Sequence, residues 1–271
     1  MSILNFFEQL ASTDIKTEDQ QTRRESILAL TNFSKKIAMA TIPGALLASL
    51  PGIANAQSGN AIADILNFAL TLEYLENNFY SQGLSSGVIL SADLPIFQQI
   101  SKHESEHVIY LQTAISGLGV TPVSTPNFDF TANGAFAPFT NYNDFLALSQ
   151  AFEDTGVRAY KGQAAGLQSS PATLQVALQI HSVEARHACE VRRLRASKGL
   201  DSNLKGWITG SSRGTLPSAT QPVYDGEQNV TQGALTDVSS LSSYGTNAAT
   251  EAFDEPLTKT QVNAIASLFI H

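Results

Sequence analysis

Two short stretches carry residue types able to do chemistry. Residues 103–107 read His-Glu-Ser-Glu-His, and residues 184–187 read Glu-Ala-Arg-His. The first stretch admits two readings. As H-E-x-x-H on a helix, His103 and His107 would bind zinc and Glu104 would act as the general base of a hydrolase. As E-x-x-H, Glu104 and His107 form one arm of a carboxylate-bridged two-metal site. One reading gives hydrolysis, the other redox chemistry.

An internal repeat separates them. Shifting the chain by 80 residues lays Glu73 over Glu153, Tyr80 over Tyr160, Glu104 over Glu184 and His107 over His187, with no gap. His103 falls on Val183, Glu106 on Arg186 and Glu76 on Gly156, so these stand outside the shared pattern, as surface groups or neighbours of the ligands. Seven residues of α-helix make about two turns and three make just under one. Glu73 and Tyr80 therefore share a face, as do Glu104 and His107. Turned inward, four glutamates and two histidines meet. Four buried carboxylates repel one another and take up protons unless cations neutralise them.

The pattern assigns Glu73 and Glu153 to one ion each, Glu104 and Glu184 as bridging carboxylates, and His107 and His187 as one imidazole per ion. Tyr80 and Tyr160 are expected behind these ligands, where a hydroxyl could bond a glutamate or donate an electron. Packing as core tyrosines is their plainer role. His181, one turn before Glu184, is expected near the pocket but outside the ligand set. The zinc-hydrolase reading lacks a third ligand. No glutamate lies between Glu106 and Glu153, and no H-x-x-G-x-x-H continuation follows His107. It remains the remote alternative.

Four helices must position these groups. Apolar residues at helical period predict helices over 60–82, 93–117, 142–168 and 171–198. Gly83 and Gly87 are expected to end the first, and Asp93 to cap the second with Pro95 in its first turn. Asn141 or Asn143 opens the third; Ser170-Pro171 opens the fourth and Gly199 closes it. Arg192, Arg193, Arg195 and Lys198 suit the negative end of that last helix dipole. Short links join the first two helices and the last two, as antiparallel hairpins. The stretch 120–141 is long enough to run the length of a bundle. The expected fold is all-α: a four-helix bundle over 57–200 with one long crossover, then a loop-rich extension over 201–271. Within the extension, 254–269 reads as a short capped helix docking on the bundle.

The chain has 271 residues, 43% of them hydrophobic, enough for a sizeable core. Its net charge of −8 offers no basic face for nucleic acid. The single cysteine, Cys189, rules out an internal disulfide and a cysteine-rich zinc site, and is expected to be buried packing. Residues 1–56 read as an export signal. Arg23-Arg24 precede a charge-free run from Ile37 that closes on Ala54-Asn55-Ala56, a cleavage pattern. The paired arginines are twin-arginine-like, whereas Lys35-Lys36 fit a standard secretory signal. Both place the protein in the periplasm or outside the cell, with no stable membrane span after cleavage. An amphipathic helix pair is the alternative.

Glu73, Glu104-x-x-His107, Glu153 and Glu184-x-x-His187 resemble the metal-ligand set of the ferritin-like superfamily, over about 57–198. More narrowly, "LTLEYLENNFY", "GEQNVTQGAL" and "EAFDEPL" resemble ferritin-like-domain proteins related to plant desiccation-induced proteins. The resemblance implies a ferritin-like four-helix bundle, two divalent ions (iron or manganese), and dioxygen or peroxide as substrate in ferroxidase or catalase-like chemistry. A non-catalytic metal-binding or stress-protective role is the competing implication, and a homo-oligomer is compatible with both. The chain departs from the pattern where many di-iron enzymes carry an aspartate beside the glutamate of E-x-x-H. Here those neighbours are His103 and Val183. One cysteine excludes a rubredoxin centre, and the long tail is unlike a cage-forming ferritin.

Overall fold

The computed structural model describes residues 56–271 except Ala234, Thr236 and Ser242. All but the last residue of the expected export signal lies outside the described residues. Four long helices make the body: α1 (Ala56–Ser86), α2 (Leu94–Gly117), α3 (Tyr142–Ala164) and α4 (Pro171–Ser197). α1 packs along α2 and α3 along α4. The long connection between α2 and α3 carries no helix.

α1 does not stop at Gly83 as expected. It runs on to Ser86, and Gly87 turns the chain at a φ of +75°. Gly83 serves packing instead: a Cβ there would lie 2.3 Å from Phe145 Cε2, so only glycine lets that ring seat against α1. Asn141 caps α3 by accepting a bond from Asn143 N at 3.0 Å. Asp93 precedes α2 without capping it. Its carboxylate is engaged elsewhere, by Lys198 Nζ at 2.6 Å and by the Tyr142 hydroxyl at 2.7 Å. Ser170 Oγ likewise pairs with Thr173 Oγ1 rather than with backbone.

The core falls into three apolar clusters, and their order along each helix decides where the polar residues lie. Near one end of the bundle, Phe79, Phe97, Phe130, Phe145, Phe152 and Phe269 interlock. Phe79 and Phe145 stack with ring centres 4.9 Å apart. Near the other end, Ile62, Leu66, Leu70, Leu111, Ile115 and Ile180 pack together. Along α2, Ile100 belongs to the first cluster and Val108 to the second; along α4, Val191 and Ile180 do the same. Glu104, His107, Glu184 and His187 fall between them, at mid-bundle.

The third cluster joins the bundle to the extension. Phe68, Leu72, Ala147 and Ala151 pack against Tyr224, Leu257, Val262 and Ile265. The extension contains two short 3-10 turns, α5 (Gly245–Glu251) and α6 (Lys259–Ala266). α5 has no apolar periodicity in "GTNAATE" and was not expected. α6 is shorter than the expected 254–269, because Thr258 and Gln261 form a capping box that starts it at Lys259. The residues before it run extended along α3: Leu257 N donates to Arg158 O at 3.1 Å. A Cβ at Gly162 would lie 1.9 Å from Leu257 O, so glycine is required at this crossing. Covered by the bundle on one side and the extension on the other, α3 is buried at every residue from Phe145 to Tyr160.

The basic cluster at the end of α4 needs more than the helix dipole. Arg192 and Arg195 are buried. Arg192 makes a paired contact with Asp154 at 2.9 and 2.5 Å, and Tyr224 of the extension donates to the same carboxylate at 2.8 Å. Arg158 on α3 reaches Glu255 O at 2.8 Å, Asp225 O at 2.9 Å and the Glu227 carboxylate at 2.6 Å. Among the described residues no helix is long and apolar enough to cross a membrane. Sheet is likewise absent among them; two isolated bridges occur, one tying Phe128 of the crossover to Ile270.

Candidate metal centre

Each long helix contributes one glutamate to the middle of the bundle: Glu73 from α1, Glu104 from α2, Glu153 from α3 and Glu184 from α4, all with zero exposure. The three-residue step within α2 and α4 adds His107 and His187 on the same faces. The six groups form two clusters, Glu73–Glu104–His107–Glu184 and Glu104–Glu153–Glu184–His187. Within each, one donor atom per residue lies within 4.8 Å of all the others.

The geometry is reciprocal. His107 Nδ1 stands 3.2 Å from Glu73 Oε2, 3.2 Å from Glu104 Oε2 and 3.1 Å from Glu184 Oε1. His187 Nδ1 stands 2.9 Å from Glu104 Oε1, 3.3 Å from Glu153 Oε2 and 3.5 Å from Glu184 Oε2. Glu104 and Glu184 thus give one oxygen to each histidine. Glu73 and Glu153 serve one histidine each.

These atoms converge without satisfying one another. Glu104 Oε1, Glu153 Oε2, both Glu184 oxygens and His187 Nδ1 are buried with no hydrogen-bond partner. An imidazole N–H can serve one acceptor well, not three. Five orphaned buried polar atoms would be costly unless something else binds them. A divalent cation in each cluster would supply the missing partner, and carboxylate with imidazole suits iron, manganese or zinc. The residues therefore fit a pair of ions.

The charges tell the same story. Burial raises the Glu104 carboxyl, with the neighbouring Glu184 charge adding to it. Burial likewise pushes Glu153 up to about 7, against the pull of His187. Burial disfavours the charged imidazolium of His107, but Glu104, Glu184 and Glu73 outweigh it and hold the ring well above its usual range. His187 behaves likewise, with Glu153 and Glu104 as the main carboxylates. Without cations the site therefore holds protons, which ions would displace.

Tyr80 and Tyr160 brace the two halves against each other. Tyr80 on α1 donates to Glu153 Oε1 on α3 at 2.5 Å, and Tyr160 on α3 donates to Glu73 Oε1 on α1. Each therefore serves the glutamate of the other half, not the one two turns away on its own helix. Burial, then the facing glutamate, keeps both phenols protonated far above their normal range.

The residues outside the repeat go separate ways. His103 is half-buried and belongs to neither cluster; its Nδ1 lies 2.8 Å from His187 Nε2. His181 donates to Val157 O at 2.9 Å, away from the ligands. Glu106 is exposed. Cys189 is half-buried rather than fully packed, with its Sγ against the backbone of Gly206. Glu76 is fully enclosed. A Cβ at Gly156 would lie 3.2 Å from its Oε1, so the glycine makes room for this carboxylate. Burial, then the charges of Glu184 and Glu153, hold Glu76 well above the usual carboxylate range. Its one sequence signal was its place three residues after Glu73, opposite a glycine in the repeat.

Four helices with one long crossover, and a glutamate from each helix with a histidine from two of them, define a bundle built around paired carboxylate–histidine clusters. Residues 61–197 match the family model of the ferritin-like domain, just over half of the chain, and the protein belongs to that family. No curated protein matches it.

Proposed function

We propose that the protein holds two divalent ions, iron or manganese, and uses them in oxygen- or peroxide-dependent redox chemistry of the ferroxidase or catalase-like kind. The observation that carries this reading is the sharing of Glu104 and Glu184, each with one oxygen toward either histidine. A single zinc site would not need that division. His103 does not turn its Nδ1 to the cluster of His107 and Glu104 but to the far side of His187, which weighs against the H-E-x-x-H hydrolase.

Each residue has a part. Glu73 with His107, and Glu153 with His187, would hold one ion each, while Glu104 and Glu184 would span the pair. Tyr80 and Tyr160 fix the non-bridging glutamates, leaving Glu73 Oε2 and Glu153 Oε2 turned toward the histidines. The apolar clusters on either side exclude bulk water. Bound ions of this kind supply one-electron changes and a Lewis-acidic place for a small oxygen species.

A non-catalytic, stress-protective role is the second reading. The zero exposure of all four glutamates favours it, since a closed site limits access by substrate. Anomalous scattering on either side of the iron and manganese edges identifies the ions. Oxygen or peroxide consumption by the loaded protein then separates catalysis from storage. Absence of any ion after aerobic and anaerobic loading would end both readings. The leader supports export, and a mature chain beginning near Gln57 in material from the native host would establish it.

A further inference from the structure

We infer that the two ion sites are unequal, and that His103 makes them so; this rests on the two-ion reading above. The two clusters contain the same set of groups, three glutamates and one histidine, and two of the glutamates are common to both. Glu76 stands beside them without a counterpart in the repeat, and the other difference is the back of each imidazole.

His187 turns Nδ1 to the carboxylates and Nε2 to His103 Nδ1, 2.8 Å away, with the two rings nearly parallel at 10°. A ring that offers Nδ1 to an ion carries its hydrogen on Nε2. His187 therefore donates and His103 Nδ1 accepts. His103 then carries its own hydrogen on Nε2, 2.7 Å from the side-chain amide of Gln99. That amide must present its oxygen, which a half-turn of the group provides. A chain of fixed polarity thus runs from the centre to the exposed Gln99, and it holds the His187 ring in one tautomer and one orientation.

His107 has no such support. Its Nδ1 faces Glu73, Glu104 and Glu184, and among the described residues its Nε2 meets no protein acceptor. The position equivalent to 103 in the repeat is 183, a valine, which accepts nothing. An acceptor behind a ligating imidazole raises the basicity of the ring and fixes its aim, and losing one typically costs about 10- to 100-fold in metal affinity. The cluster of Glu104, Glu153, Glu184 and His187 should therefore fill first, with an affinity about tenfold or more above the other.

The test is a calorimetric titration of the metal-free full chain with manganese(II), with anomalous maps at one equivalent of ion. Two separated steps are expected, with the first ion beside His187. His103→Val makes position 103 the same as 183; it should weaken the tighter step about tenfold or more, leave the weaker step in place, and close the gap. Val183→His provides a check that does not depend on the folding of the first variant: an acceptor behind His107 should strengthen the weaker step. Equal steps in the native chain, a first ion beside His107, or a gap unchanged in His103→Val would overturn the inference while leaving the two-ion reading intact. Failure to bind any manganese(II), iron(II) or cobalt(II) would remove the reading itself.

Discussion

The two halves of the bundle carry the same candidate ligands on different supports. In α3–α4, Asp154 and Arg192 form a buried ion pair, joined by Tyr224 of the extension. Shift back by the repeat and the same two positions are Tyr74 and Gln112. These also meet, through a neutral hydrogen bond of 2.8 Å, and Tyr74 then donates to Val123 O of the crossover. The contact is preserved while its chemistry is replaced. α1–α2 leans on the crossover through neutral groups, whereas α3–α4 is held by the extension through charges. A repeat that conserves the metal-facing side of each helix places no such constraint on its outer side.

The comparison can be broken most severely at the groups the halves share. Glu104→Ala or Glu184→Ala should empty both sites, because each carboxylate turns one oxygen to either histidine and would span the pair. Glu73→Ala and Glu153→Ala should each lose mainly one ion. Metal content after identical loading distinguishes the cases, and loss of a single ion from Glu184→Ala would refute the bridging role. Next in size is the ionic support. Arg192→Ala leaves Asp154 buried without its cation and should cost about 3–5 kcal/mol in denaturant unfolding. A cost below about 1 kcal/mol would mean that the extension does not depend on this pair.

A third effect sharpens the comparison through pH. Glu153 rises from 4.5 to about 7 in the folded, metal-free protein. A raised folded value means that the folded state holds the proton more tightly, so its contribution to stability is complete below pH 4.5. That contribution is lost as pH climbs through about 7. The raised carboxyls of Glu104 and Glu76 act in the same direction across this interval, and the raised histidines do so only above their ordinary value of 6.5. Melting temperature of the metal-free protein should therefore fall across that interval. Metal affinity should move the opposite way, growing with pH as protons cease to compete. A metal-free melting temperature that rises from pH 4.5 to 7 would contradict the proton-holding site. The smallest effect lies on the neutral support: Gln112→Ala should cost about 1 kcal/mol, several-fold less than Arg192→Ala. Equal costs would erase the distinction between the halves.

How much of this was legible depends on distance along the chain. The clustering of the six residues and the bundle could be read because helical spacing and one offset express them locally. Glu76 and His103 were legible only as residues that break the pattern. Their positions against the site come from packing between helices, which no spacing within one helix encodes. The arginines of α4 had a sufficient local explanation in the helix dipole, and it concealed their real partners on α3, Asp154 for Arg192 and Gln150 for Arg195. α1 runs past Gly83 because that glycine answers to Phe145, far along the chain, and not to its own backbone.

The enclosure of α3 has a consequence in time. Synthesis delivers α1 to α4, with all six ligands, well before the segment 254–266 that seals the outer face of α3. Until that segment arrives, Ala147 and Ala151 lack the apolar cover of Leu257, Val262 and Ile265, and Arg158 lacks its partner at Glu255 O, so α3 rests on its bundle contacts alone. A pair of ions, if these groups hold one, would then be fixed in its final geometry only after that segment has closed over α3. Carboxylate and imidazole donors rank divalent metals by intrinsic affinity more than by identity. The compartment in which the chain finishes folding, and the ions it keeps available there, would then select a metal as much as the ligand set does.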